Sequence, residues 1–299
     1  MSLRLGIFSA CVFTAFLALF SAQSLASEGN RVTILYDAFG EPSAMTKDWG
    51  FAALVEYNGK RILFDTGNDA QVFASNVAAA GVNLRNLDFA VISHRHLDHA
   101  AGLPYLLAVN PGVRIYVPKE AFGSFGSSLP AQFYRKEEVL PEFMRYFDGH
   151  PPETMEFGTA WPGANFVPLD KTTEIAPRIF LLSLVSDVAG TKELRELSLA
   201  IDTPHGLILM VGCSHPGIEK IVEAATAINR HVRIVFGGLH LPAAPDEQIS
   251  RVGTALHDVF KVERLAPGHC TGEPAFASFR KTWGANYVYA GLGSVIELP

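Results

Sequence analysis

The sequence is short of cysteine, short of positive charge and short of long apolar runs. Three cysteines in 299 residues exclude a scaffold stapled by several disulfides. Lys plus Arg number 24 against 30 Asp plus Glu, a net charge of −6. There is thus no overall basic field of the kind that holds a phosphate backbone, and nucleic acid is not an expected partner. A small anionic substrate is still allowed, because a metal or a few local cations can hold one. The one marked apolar run, from about Leu5 to Phe20, is short and poorly flanked for a membrane span. No short-period repeat is present.

That run has another reading. "MSLRLGIFSACVFTAFLALFSAQSLAS" carries one early cation, Arg4, then the apolar core, then small residues ending Ser24-Leu25-Ala26. This is the pattern of a secretory signal peptide cleaved near Ala26; the alternative is an uncleaved anchor. The expectation is a leader over residues 1–26, a single domain over 27–299, export to the periplasm or medium, and no stable membrane insertion after cleavage. Cys11 lies inside the apolar run rather than after it, so it is not read as a lipid-modified terminus. Cleavage leaves Cys213 and Cys270. An exported protein could join them in one disulfide, but both sit beside histidines, in "GCSH" and "GHCTG". A metal centre would draw the thiols as well.

What the chain does contain is 48% hydrophobic residues with 26 Gly and 18 Pro, the composition of a globular, loop-rich protein. "RVTILYDAF" reads as a strand. "FAALVEYNGKRILFDTG" reads as a hairpin around Asn58-Gly59. A helix stopping near Gly81, a strand at "LDFAVISH", a helix ended by Asn110-Pro111-Gly112 and a strand at "RIYVPKEA" follow. This alternation points to an α/β layered fold. Residues 122–168 lack clear periodicity and read as an irregular insertion, with one short helix around "KEEVLPEFMRYF". Its aromatic residues, from Phe122 to Phe147, suit a lid or pocket wall. Strands resume at "RIFLLSLVSDV" and "ELSLAIDTPHGLILMVGCSH", with His205-Gly206 as a turn. "PGIEKIVEAATAIN" is helical, "HVRIVFGGLHL" a strand, "DEQISRVGTALHDVF" a helix and "VERLAPGHCTG" a short strand and loop. Two halves whose strands end in His-bearing loops predict two sheets with a site along one edge.

The densest chemistry is "SHRHLDHAAG", with His94, His96, Asp98 and His99 directly behind an apolar strand. Neutral imidazoles and a carboxylate at this spacing suit zinc, iron and similar ions, and four such groups can serve two adjacent ions. His240 in "GGLHL" is open between metal ligand, substrate donor and loop residue. His150, His205, His231 and His257 read as structural or solvated.

His-x-His-x-Asp-His followed by Gly resembles the signature of the metallo-β-lactamase fold hydrolases. "FDTG" resembles that family's first motif and "GHCTG" its last, and the likeness runs along nearly the whole of residues 27–299. It implies a four-layer αβ/βα sandwich with metals at the shared edge of two sheets. It implies that His94 and His96 hold one metal, that Asp98, His99 and His269 hold the other, and that Asp65 supports them from behind. Many members carry a His before a strand ending Gly-Asp. Here "ELSLAI" has no His and the strand ends Gly212-Cys213-Ser214-His215. His215 is taken as the missing ligand, with Cys213 as an alternative bridging thiolate. "GCSHPGI", "FGGLHL" and "PGHCTG" resemble the branch of dihydropterin-methyl ribofuranosylaminobenzene phosphate synthase-like proteins.

The implied activity is hydrolysis of a small-molecule ester, lactone, amide or phosphoester by metal-activated hydroxide. Two divalent ions are expected, zinc first, with iron or manganese sharing the ligands. Asp98 doubles as the catalytic proton carrier, and Asp65, Cys213 and His240 are expected to touch ligands or substrate. The alternative is a low-turnover binding or sensing protein on the same fold. The sequence is silent on oligomeric state.

Overall fold

The computed structural model describes residues 29–120, 127–130, 137–151, 153–157, 161 and 163–299. The expected leader, residues 1–26, lies outside them. Among the described residues no helix is long and apolar enough to cross a membrane.

In chain order the strands are β1 (Arg31–Tyr36), β2 (Ala52–Tyr57), β3 (Lys60–Phe64), β4 (Phe89–Val91), β5 (Arg114–Pro118), β6 (Ser127–Pro130), β7 (Thr154–Phe157), β8 (Asn165–Leu169), β9 (Thr173–Ala176), β10 (Ile179–Val185), β11 (Arg195–Thr203), β12 (Gly206–Val211), β13 (Val232–Gly238), β14 (Arg264–Gly268) and β15 (Val295–Glu297). The helices are α1 (Ala70–Ala79), α2 (Leu97–Ala100), α3 (Leu103–Val109), α4 (Ile218–Thr226), α5 (Asp246–Thr254) and α6 (Glu273–Trp283).

Two mixed sheets form the centre. One runs β15-β1-β2-β3-β4-β5-β8 and the other β14-β13-β12-β11-β10-β9. Their facing sides share one apolar layer, including Ile34, Phe64, Val91, Leu199, Ile208 and Phe236. α1 and α3 cover the outer face of the first sheet through Phe73, Val77, Leu103 and Leu106. α4, α5 and α6 cover the second through Ile221, Ile249 and Phe279. That is helix, sheet, sheet, helix, the four-layer sandwich that the family resemblance implies. The hairpin turn at Asn58-Gly59 has both residues at positive φ, 49° and 75°, as its sequence demands.

The structure corrects the sequence in the stretch from 122 to 168. Its end is not irregular: β8 lies parallel to β5, with Pro168 opposite Val117. β8 is an edge strand, where a proline's missing N–H does little harm. β6 and β7 pair with each other. The expected helix around "KEEVLPEFMRYF" is instead two short 3₁₀ turns, Glu142–Met144 and Tyr146–Gly149. Pro141 precludes a continuous helix because it disfavours helical geometry at the residue before it. Phe143 and Phe147 are exposed there rather than lining a pocket; residues 121–126 and 131–136 of that expected wall lie outside the described residues.

Candidate metal centre

The site lies where the carboxyl ends of β3, β4, β12, β13 and β14 meet at the shared edge of the sheets. β4 delivers its chain into Ser93 and His94, and α2 follows at once, carrying Asp98 and His99. β12 ends in Cys213, Ser214 and His215, β13 in His240, and β14 in His269 and Cys270. Residues far apart in sequence converge because neighbouring parallel strands present their loops on one side.

Two groups of donor atoms form, and within each every atom is within 4.8 Å of the others: His94, His96 and His215 in one, and Asp98, His99, Cys213 and His269 in the second. His94 Nε2 faces His96 Nδ1 at 3.1 Å. His99 Nε2 is 3.1 Å from the Cys213 sulfur. Asp98 Oδ2 is 3.5 Å from His269 Nε2 and 3.8 Å from His99 Nε2. His94 and His99 are fully buried, and His215, His269 and Cys213 nearly so.

Behind the donors stands a layer of hydrogen bonds that fixes which ring nitrogen is free. Buried Asp65 accepts from Ser93 N–H at 2.6 Å and from Ser93 Oγ at 2.8 Å, and His99 Nδ1 donates to it at 2.7 Å. With its own proton directed at Asp65, Ser93 Oγ accepts from His94 Nδ1 at 2.9 Å. His215 Nδ1 donates to Glu196 at 3.0 Å. In all three rings Nδ1 is thereby held as the donor and Nε2 points inward, the orientation a cation requires.

Glu196 is the group that sequence reading missed. It lies in the very strand segment noted for lacking a His. It accepts Cys213 N–H at 2.9 Å, Ser214 N–H at 2.8 Å and His215 N–H at 2.9 Å, so it shapes the loop that carries two donors. Asp37 was missed too. Its carboxylate accepts the His269 backbone N–H at 2.9 Å, anchoring the last donor loop to β1. Trp49 stacks near the His269 ring, with centroids 5.3 Å apart.

The electrostatics suit cation binding. Burial pushes the His94 imidazole well down, and the His99, His215 and His96 rings add to this. Burial brings His96 down to about 4, with His215 contributing. Both are therefore neutral ligands at pH 7. His99 behaves oppositely: burial alone lowers it, but Asp65 outweighs burial and lifts it to about 9. Burial tends to raise Asp98, yet His269, His99 and His96 more than offset that and hold it below the usual carboxylate range. Burial raises Asp37 to about 7 despite His269 beside it.

Backbone strain gathers at the same place. Asp65, Ser214, His240 and His269 all have positive φ, 59°, 65°, 53° and 47°. Non-glycine residues hold such angles only where surrounding contacts enforce them. Gly237 and Gly238 also answer to packing. A Cβ on Gly237 would lie 2.0 Å from the Val211 carbonyl, and one on Gly238 would lie 2.6 Å from the Cys270 sulfur.

A metal fits these residues. Among the described residues neither ring nitrogen of buried His269 has a hydrogen-bond partner, Asp98 Oδ2 standing 3.5 Å from Nε2, an arrangement that costs free energy unless a ligand takes up a lone pair. Oriented imidazoles, a carboxylate and a thiol form a nitrogen, oxygen and sulfur donor set suited to a borderline divalent ion.

The remaining expected residues fall into place plainly. The ring of His240 is exposed and 4.5 Å from that of His215, and it belongs to neither donor group. The other histidines stand elsewhere: His231 donates to Glu263, His257 to Asp258, and His150 lies 3.4 Å from Glu142. Cys213 and Cys270 are both free thiols, so the possible disulfide is not formed. A cavity of about 400 Å³ opens beside His215 and His240, lined also by Gly217, Lys220, Leu239 and Arg251.

Known proteins resemble this chain in sequence and in fold. The family model of the Metallo-beta-lactamase superfamily matches residues 45–181. The chain is 29% identical, over 88% of its length and 93% of the relative's, to the 7,8-dihydropterin-6-methyl-4-(beta-D-ribofuranosyl)-aminobenzene-5'-phosphate synthase of Methanocaldococcus jannaschii. Among solved structures it is similar to Tm1679, a metal-dependent hydrolase of the beta-lactamase superfamily. There the TM-score is 0.65 and the identity 26%, covering 90% of this chain and 99% of that one. Human tRNase Z, short form, shares the fold, with a TM-score of 0.50 at 14% identity over 90% of this chain and 99% of that one.

Proposed function

Because this chain is a member of the metallo-β-lactamase superfamily, we propose that it is a metal-dependent hydrolase of a small-molecule ester, lactone, amide or phosphoester. The observation that carries the proposal is the convergence of His94, His96 and His215 in one donor group and Asp98, His99, Cys213 and His269 in another. Zinc is the proposed occupant of both, with iron and manganese able to use the same donors. When bound, such cations act as Lewis acids and bring a coordinated water's pKa toward about 7.

The protein's own groups do the rest. Asp98 is partly exposed and ionised across the neutral range. It can orient the attacking water, take its proton and return that proton to the leaving group. Asp65, Ser93 and Glu196 hold the rings so that no reorientation is needed during the reaction. The cavity beside His215 seats the remainder of the substrate. His240 at its rim supplies a hydrogen-bond donor, its imidazole raised first by the Cys270 thiol beside it. Lys220 and Arg251 line the same cavity, each already ion-paired, with Asp187 and with Glu219. The phosphate in the related synthase's name favours keeping phosphoesters in the tested set.

The test is to strip the protein with a chelator, reload it with zinc or manganese, and assay p-nitrophenyl esters, bis-p-nitrophenyl phosphate and simple lactones. Metal-dependent turnover, abolished in His94→Ala and in His269→Ala with loss of bound metal, is expected. A fully loaded protein inert to the whole panel would overturn the hydrolase reading in favour of a binding protein on this fold. We further propose export, with a mature chain starting near Ser27; intact-mass measurement after expression with the leader checks this, and an unprocessed chain refutes it.

A further inference from the structure

A third cluster of donors lies beside the two described. Cys213, His240 and Cys270 place a sulfur, an imidazole nitrogen and a second sulfur all within 4.8 Å of one another. Their origin is orderly. β12, β13 and β14 are adjacent and parallel, and each of their carboxyl-end loops contributes one donor. Both thiols are buried, each 3% exposed, while His240 closes the group from the surface side. Two backbone features keep it open. Gly238 leaves the volume that the Cys270 sulfur fills, since a Cβ there would lie 2.6 Å from it. His240 is held at φ 53°, a costly angle for a non-glycine residue. Neither Cys270 nor His240 belongs to the other two groups.

We propose that Cys213, His240 and Cys270 form a third cation site, selective for a soft or borderline ion such as Zn²⁺, Cd²⁺ or Cu⁺. Two thiolates and one imidazole are the donors such ions prefer. No redox step is involved. Each thiol releases its proton as the sulfur–metal bond forms. The Cys213 sulfur is shared with the Asp98, His99 and His269 group as a bridging thiolate, and only in that sharing does the proposal rest on the two-metal reading. The site ties three donor loops together and makes the protein's metal content sensitive to thiol reagents.

The experiment is reloading of the chelator-stripped, reduced full-length protein with Cd²⁺ or Zn²⁺. It is followed by elemental analysis and by ultraviolet sulfur-to-cadmium charge-transfer absorption. Wild type is expected to bind three equivalents. Cys270→Ser and His240→Ala should each bind two, and Cys270→Ser should show a weaker charge-transfer band. Wild type binding only two, or both variants binding as many ions as wild type, would overturn the third site. His94→Ala separates the readings: if it loses no ion while Cys270→Ser loses one, the paired centre fails and the third site stands. Circular dichroism controls for folding. Should Cys270→Ser not fold, the stoichiometry of His240→Ala, a change at an exposed residue, decides the matter.

Discussion

Replacing Glu196 by glutamine tests whether the hydrogen bonds behind the donors set the chemistry in front of them. Glu196 is about 1% exposed and accepts four hydrogen bonds, from the backbone of Cys213, Ser214 and His215 and from His215 Nδ1. Burial tends to raise its carboxyl, but His215 and the backbone donors outweigh that and keep it ionised. Glutamine matches the shape yet keeps one accepting oxygen. If that oxygen stays with Cys213 and Ser214, the amide NH₂ faces the His215 N–H, donor against donor. It can satisfy Nδ1 only by donating to it, which moves the ring proton to Nε2, the atom needed for a cation. If the amide flips, the Cys213 and Ser214 N–H groups lose their acceptor instead. A buried unpaired donor costs about 1–3 kcal/mol, so one or two of them give roughly 3 kcal/mol. At about 2–4 °C per kcal/mol for chains approaching this size, Tm falls by roughly 6–12 °C. Loss of the oriented tautomer weakens metal binding by about 10–100-fold. Thermal melting measures the first effect, competitive zinc titration the second, and ¹⁵N spectroscopy of the His215 ring the tautomer itself. A variant within about 0.5 kcal/mol of wild type, with unchanged zinc affinity, would refute the account.

Proton linkage gives a second prediction. In the stripped protein His99 is lifted to about 9 by Asp65, above its ordinary value of about 6.5. Its contribution to stability is therefore complete below about pH 6.5 and is lost as pH rises through about 9. Metal binding at Nε2 must expel that proton, so zinc affinity rises with pH across the same window, and calorimetry at about pH 7.5 in buffers of different ionisation enthalpy reads it beside the protons that the cysteine thiols give up. Equal apparent enthalpies in all buffers would count against it. Asp65→Asn should remove the His99 share of this pH dependence, leaving that of the thiols, and lower metal affinity by about 10–100-fold, as titration at several pH values would show. Gly237→Ala meets both a φ of 106° and the Val211 carbonyl at 2.0 Å. Strain of about 1–3 kcal/mol plus overpacking of about 1–3 kcal/mol should lower the unfolding free energy by roughly 2–6 kcal/mol in a denaturant titration.

The donors were legible in the sequence because they are polar residues placed directly after apolar strands, where solvent-facing loops have no other reason to concentrate imidazoles. The alternation of strands and helices was legible because sheet and helix each impose a period on the apolar residues. β8 was not, since an edge strand containing a proline and polar neighbours has no such period. Nor was the helix-breaking at Pro141 given enough weight against the apolar spacing around it.

Glu196 and Asp37 show a deeper limit. A carboxylate near a strand end reads as solvent-facing, and nothing within several residues of "RELSLAI" indicates otherwise. Its partners are the N–H groups of a loop that arrives after the next strand and approaches only through the register of β11 on β12, Leu199 opposite Met210. Asp37 depends on a still longer closure, to His269 at the far end of the chain. The one local signal is that β11 is buried along nearly its full length. A charge within a strand that has no wet face must be met by donors from elsewhere. That criterion, a carboxylate at a strand position with no solvent-facing side, selects Glu196 in β11, as the ligand motif selects the ligands themselves.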